Sequence, residues 1–222
     1  KDGTINVSGL EKEKSYDLYY VAVDKAGNYS AEIQKVTINT LDQTGPKITQ
    51  TFTKYSGTDN KTNPMVDTGI VLHVTENIRA DVDGAGEDLL SLYEASIDNT
   101  SSAVARKEAQ DKLVLSLRST IVLNQVTSGT GRGSQPVAVK GESGVGENWV
   151  IDYTKVTVTR KDSGIDITFP AEALQLENGS TYYFTASNLT DASAAKNPIV
   201  PNPVDFYTNA DVGIAGGHDL RL

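Results

Sequence analysis

Apolar residues recur at every second position through much of this chain, in short runs separated by polar and glycine-containing segments. Tyr16, Leu18, Tyr20 and Ala22 share one side of an extended stretch, with Asp17, Tyr19, Val21 and Val23 on the other. This period of two is that of a β-strand with one covered face. Ile33, Val36 and Ile38 supply the strand after it. Farther on, Ile70, Leu72 and Val74 alternate with Val71, His73 and Thr75. Val156 and Val158, then Ile165, Ile167 and Phe169, flank Arg160-Lys161-Asp162-Ser163-Gly164, which predicts a hairpin with a turn of about three to five residues. Tyr182, Phe184 and Ala186 continue the inward pattern.

The alternation lapses between about Asp81 and Asn148. Ala103 to Leu117 begins with strong helix formers and ends with alternating Leu113, Leu115 and Leu117, so a short helix followed by a strand is expected. Ser128 to Asn148 is glycine-rich and poor in apolar residues, which predicts a long mobile loop. The turn chemistry near the start is more specific. Asp24 and Asn28 bracket Gly27, short polar side chains that can satisfy turn amides around a residue free to take positive φ. Tyr16 is placed to send its hydroxyl back to backbone just upstream, the tyrosine corner of a β-sandwich.

Composition narrows the function classes. The chain has 222 residues, no cysteine and a formal net charge of −9. Disulfides, a thiol nucleophile and cysteine-ligated zinc are excluded, and a cysteine-free fold of this size rests on its core alone. The acidic balance argues against nucleic acid, whose phosphates call for clustered Lys and Arg, and leaves room for divalent cations. No apolar run is long enough to span a membrane, so no membrane insertion is expected.

Two stretches carry family resemblances. Val7-Ser8-Gly9-Leu10, the strand Tyr16 to Asp24, and Ala26-Gly27-Asn28-Tyr29-Ser30 resemble the closing half of a fibronectin type III domain, over about the first 42 residues. Three strands fall short of the seven or so such a sandwich needs, so this part is expected to be the end of a larger domain. Asp42 to Ile48, Asp67 to Glu76, Asn178 to Phe184, Asn188 to Asp191 and Phe206 to Thr208 resemble the opening and close of a bacterial Ig-like domain of the kind repeated in S-layer and other surface proteins. The loop Ala194-Ala195-Lys196-Asn197 departs from that pattern, lacking the usual glycine before the asparagine. Together the resemblances imply an all-β chain of tandem Ig-like and fibronectin-type Greek-key sandwiches. The implied domains are residues 1–42, residues 43–210 with a partly helical, glycine-rich insertion at about 81–148, and residues 211–222 as a linker or the start of a further module.

Candidate chemistry is sparse. The two histidines are His73, on the outward side of its strand, and His218; neither lies in a local catalytic signature. The glycine-rich runs Gly129 to Ser134 and Gly141 to Gly146 lack the Lys-Ser/Thr ending and strand-to-helix setting of phosphate loops. No carboxylate pair stands out as a glycosidase pair. Asp81, Asp83, Glu87 and Asp88 cluster around Gly84 and Gly86, and closely spaced carboxylates on a glycine-bent loop can supply several of the six to eight oxygens calcium takes. Ala85 and Leu92 fall where an EF-hand needs oxygen ligands, so a looser structural calcium loop, with Glu76 nearby, competes with a solvated acidic turn or a helix N-cap beginning near Glu87. Trp149, the sole tryptophan, is the candidate aromatic platform for a saccharide, against the alternative of a core residue.

The expectation from sequence is therefore a non-enzymatic structural module of an S-layer-like bacterial cell-surface protein, extracellular, whose partners are neighbouring domains or copies of itself. Calcium would stiffen a domain junction or the Asp81 loop. The alternatives are an adhesive or carbohydrate-binding module contacting cell-wall or other polysaccharide, and an accessory region of a secreted polysaccharide-degrading enzyme.

Overall fold

The structure is a computed structural model that describes residues 4–55, 64–82, 86–127, 133–200 and 206–208. In chain order its elements are β1 (Ser15–Tyr20), β2 (Gln34–Asn39), β3 (Ile48–Phe52), β4 (Ile70–Val74), β5 (Ile78–Ala80), β6 (Glu87–Asp88), α1 (Leu89–Ile97), α2 (Ala103–Thr120), β7 (Ile121–Thr127), β8 (Gly133–Pro136), β9 (Thr157–Lys161), β10 (Gly164–Phe169), β11 (Thr181–Ala186), β12 (Leu189–Asp191) and β13 (Phe206–Tyr207). All strand pairs are antiparallel, and the fold is of all-β sandwich type. The chain divides into two compact units, Lys1–Thr44 with Ser193–Asn197, and Gly45–Ala192 with Pro198–Leu222.

The first unit is one antiparallel ribbon, β1 on β2, with Tyr16 opposite Ile38 and Leu18 opposite Val36. Its turn residues act as their chemistry predicts. Asp24 accepts from the backbone N–H groups of Ala26 and Asn28 and from the Asn28 side chain, at 2.8 to 2.9 Å, while Gly27 takes φ of 89°. These bonds, that from the Asn28 side chain foremost, hold the Asp24 carboxyl below its ordinary pKa. Among the described residues two strands precede Thr44 rather than the three expected, because Val7 to Leu10 is not a strand. Gly9 at φ 76° and Glu13 at φ 53° fold that stretch back on itself, and the fold-back lets the Glu11 N–H reach the Tyr16 hydroxyl at 2.9 Å.

The second unit is a sandwich. One sheet has the order β3-β4-β10-β9, the other β13-β11-β7-β8, and a small third sheet has the order β12-β5-β6. The alternation read from sequence sets the inner faces: Ile70, Leu72, Val74, Val158, Ile165, Ile167 and Phe169 on the first sheet, Ile121, Leu123, Tyr182 and Phe184 on the second, are all buried in one cluster. Phe169 joins the two layers, its ring 5.0 Å from that of Phe184 and edge-on to Tyr153 at 6.0 Å. The Tyr153 hydroxyl donates to Ile121 O at 2.6 Å, so this deeply placed phenol brings its own acceptor, and burial pushes its pKa up.

Three local expectations for this unit need correction. The β9–β10 turn is two residues, Asp162 and Ser163, because Asp162 accepts a left-handed φ of 51°, which short polar side chains tolerate better than most. The segment Ala103 to Leu117 is helical throughout, and the strand begins only at Ile121. Ala109, Leu113, Ser116, Leu117 and Thr120 line one buried helix face, so the period of 3.6 overrides the alternation of three leucines. Of the glycine-rich stretch, 128–132 lie outside the described residues, but Gly133–Pro136 pairs with β7 as β8. Lys140 to Asn148 form a sequence of turns with positive φ at Gly141, Gly144 and Gly146. Residues 209–222 are outside the described residues.

Candidate functional site

The most developed polar constellation lies on the solvent side of the β3-β4-β10-β9 sheet. With Ile70, Leu72 and Val74 turned inward, the pleat puts Thr51, His73 and Asp166 on the opposite face, and the register sets Thr49, His73 and Asp166 in one row. His73 Nδ1 lies 2.7 Å from Asp166 Oδ1, and Nε2 lies 2.8 Å from Thr51 Oγ1. A carboxylate oxygen only accepts, so Nδ1 donates to Asp166, and in the neutral ring Nε2 accepts from the Thr51 hydroxyl. His73 faces outward as its strand position requires, and it is held on both nitrogens.

Hydroxyl, imidazole and carboxylate in this order have the connectivity of a nucleophile, its base and the group that orients the base. Beside them is an open depression of about 330 Å³ lined by Thr49, His73, Thr75, Lys161, Asp162, Ser163 and Asp166. Thr51 does not line this depression, although the imidazole it bonds to does.

The residues singled out from sequence are placed differently. Asp88 caps α1, accepting from Ser91 N at 2.8 Å, and its other oxygen accepts from Asn77 Nδ2 at 2.6 Å. Glu87 pairs with Lys112 at 3.2 Å. Asp81 is exposed, and Asp83 lies outside the described residues. The helix-cap alternative therefore describes what Asp88 does, and Glu87 and Asp88 are both engaged in bonds that fix the start of the helical insertion. Trp149 is partly buried, with Lys140 Nζ 4.8 Å above its ring. Lys140 is itself anchored 3.1 Å from Asp152, which also accepts from the backbone N–H and hydroxyl of Thr154. Burial raises the Asp152 pKa, but these hydrogen bonds outweigh it and leave the carboxyl below its ordinary value. The lysine takes up one face of the indole, and Trp149 is not a core residue.

One arrangement escaped the sequence reading. Glu177 N–H donates to the Tyr182 hydroxyl at 3.0 Å, the bond Glu11 makes with Tyr16. The two segments, Leu10-Glu11 through Tyr16 and Leu176-Glu177 through Tyr182, share the same Leu-Glu spacing to the tyrosine, and that repeat was available in the sequence. Burial raises the Tyr182 pKa. No helix among the described residues is long and apolar enough to cross a membrane. No protein-family model matches this chain, and no match to it was found among curated proteins or solved structures.

Proposed function

We propose that the chain is a non-enzymatic structural module of an S-layer-like bacterial cell-surface protein, spacing or assembling tandem β-sandwich domains outside the cell. The observation that carries this reading is the repeated tyrosine corner, Glu11 with Tyr16 in one unit and Glu177 with Tyr182 in the next. The corner is a feature of sandwich domains at the start of a late strand, and its recurrence supports reading the two as consecutive modules of one class. The engagement of Glu87, Asp88 and Lys140 in caps and ion pairs supports the same conclusion, since these side chains serve the fold.

A second reading, an adhesive or saccharide-binding module, is favoured by the depression beside His73. Its hydroxyl, carboxylate, imidazole and ammonium groups are of the kind that bind sugar hydroxyls, and its volume is near the lower end for ligand pockets. Co-sedimentation with insoluble cell-wall and plant polysaccharides separates the two. The spacer reading expects no saturable binding by the wild-type chain. Saturable binding that His73→Ala and Asp166→Ala abolish would replace it with the adhesive one.

A further inference from the structure

Asn178-Gly179 is the sole Asn-Gly pair in the sequence, and it forms the turn between the tyrosine corner at Glu177 and β11. Asn178 is exposed, and its side chain makes no hydrogen bond among the described residues. Gly179 takes φ of 76°. An asparagine followed by glycine is the pair most open to ring closure, in which the backbone nitrogen of the second residue attacks the side-chain carbonyl carbon of the first. Glycine has no Cβ to obstruct that approach.

The fold places a lock on this nitrogen. Gly179 N–H donates to Thr208 O at 2.9 Å. Thr208 is fully buried and holds the same turn through its backbone and its side chain. Its N–H donates to Ser180 O at 3.0 Å, and its hydroxyl donates to Glu177 O and accepts from Ser180 N at 3.2 Å. Thr208 is carried by a slight element. The preceding strand, β13, is two residues long, lies at the end of its sheet and pairs only with β11. Elements of this kind open locally at a lower cost than the unit as a whole.

We propose that Asn178 is a self-modification site gated by Thr208: it is protected while Thr208 holds the turn and deamidates when β13 lifts away. With the clasp closed, the Gly179 N–H is tied to Thr208 O and neither loses its proton nor turns toward Asn178 Cγ. With the clasp open, Gly179 N gives up its proton and bonds to Asn178 Cγ, the Cγ–Nδ2 bond breaks, and ammonia leaves carrying a proton. Water then opens the cyclic imide. Cleavage at the former side-chain carbonyl gives aspartate, and cleavage at the main-chain carbonyl gives isoaspartate, whose backbone runs through Cβ. Water is the only co-reactant.

Either product adds a carboxylate beside Glu177, and isoaspartate also lengthens the main chain between the two ends of the Glu177–Tyr182 hydrogen bond. Thr208 then has a displaced set of partners to return to. A transient opening of the closing strand becomes a permanent loosening of the corner, a loss of kinetic rather than equilibrium stability. This holds whatever the module spaces or binds.

Peptide mass spectrometry of the full chain, sampled during incubation in mildly alkaline buffer, reads the conversion of Asn178, with a synthetic Leu174–Tyr183 peptide as the unprotected reference. The wild-type chain is expected to convert at least about tenfold more slowly than the peptide. Thr208→Ala removes the hydroxyl's bonds to Glu177 and Ser180. It is expected to convert about tenfold faster than wild type, the change in opening that follows loss of roughly one ordinary hydrogen bond. Thr208→Ser keeps the hydroxyl and is expected to restore the wild-type rate. In urea below the unfolding midpoint, the wild-type rate is expected to rise ahead of the global transition reported by Trp149 fluorescence. A wild-type rate equal to that of the peptide, a folded Thr208→Ala chain that converts no faster, or a urea dependence that follows the Trp149 transition throughout would each overturn the gate. The urea series needs no variant, so it decides the matter even where Thr208→Ala fails to fold.

Discussion

Tyr182→Phe tests the tyrosine corner of the second unit. The ring is fully buried and stays in place, so packing against the facing sheet is retained and only the hydroxyl is lost. The Glu177 N–H, which donates to that hydroxyl at 3.0 Å in a partly buried setting, then has no protein partner at that position. The net worth of such a bond is about 0.5–1.5 kcal/mol, rising to about 1–3 kcal/mol where the donor is left dry. Partial burial places the expected loss at about 1–2 kcal/mol. For a unit of this size each kcal/mol moves the melting temperature by roughly 2–4 °C, so a fall of about 2–8 °C is expected. Urea unfolding followed through Trp149 fluorescence reads the second unit directly, with the m-value expected to be unchanged. Tyr16→Phe serves as the control and should leave that transition where it is. A Tyr182→Phe loss under about 0.3 kcal/mol, smaller than an ordinary hydrogen bond, would show that the corner is a by-product of packing and would remove the observation on which the tandem-module reading stands.

Gly164→Ala should cost about 3 kcal/mol or more, because a Cβ there would overlap the Val74 carbonyl oxygen; a near-normal unfolding midpoint would mean that β10 can shift away from β4. Ser102→Ala removes the side chain that accepts from Ala105 N at 3.1 Å and caps α2, a loss of about 1 kcal/mol measurable by denaturant unfolding. Asp88→Ala should lower the melting temperature equally in calcium and in chelator, since its bonds are to Ser91 and Asn77; a loss seen only with calcium present would support a cation site there. On the acid side, the Ser101 and Thr100 bonds hold Asp98 down from 3.8 to about 2, and Asp152 is also depressed. The unfolded chain takes up these protons first, so the stability they give is complete above about pH 4 and is lost as pH falls toward 2. Asp98→Asn should flatten that part of a melting-temperature profile, and an unchanged slope would contradict the assignment.

The sequence by itself determined the strands and their faces. Ile70, Leu72, Val74, Ile165, Ile167 and Phe169 turn inward because the pleat has a period of two and only one side of the sheet is covered. The Asp24 turn and the Tyr16 corner were legible for a similar reason, since donor and acceptor lie within a few residues of each other. The length of α2 was misread because Leu113, Leu115 and Leu117 fit two periods, and only packing on the sandwich shows which side chains are buried. The site was less legible still. His73 is far in sequence from Asp166, and strand order alone makes them neighbours. Glu87 and Asp88, calcium-ligand candidates by sequence, have Lys112 and Asn77 as partners that only the fold brings to them. That the side chains on the apolar face of the first unit stay partly or fully exposed among the described residues was decided only by the tertiary structure, because a pattern of alternation specifies which side chains seek cover and carries no information about what provides it.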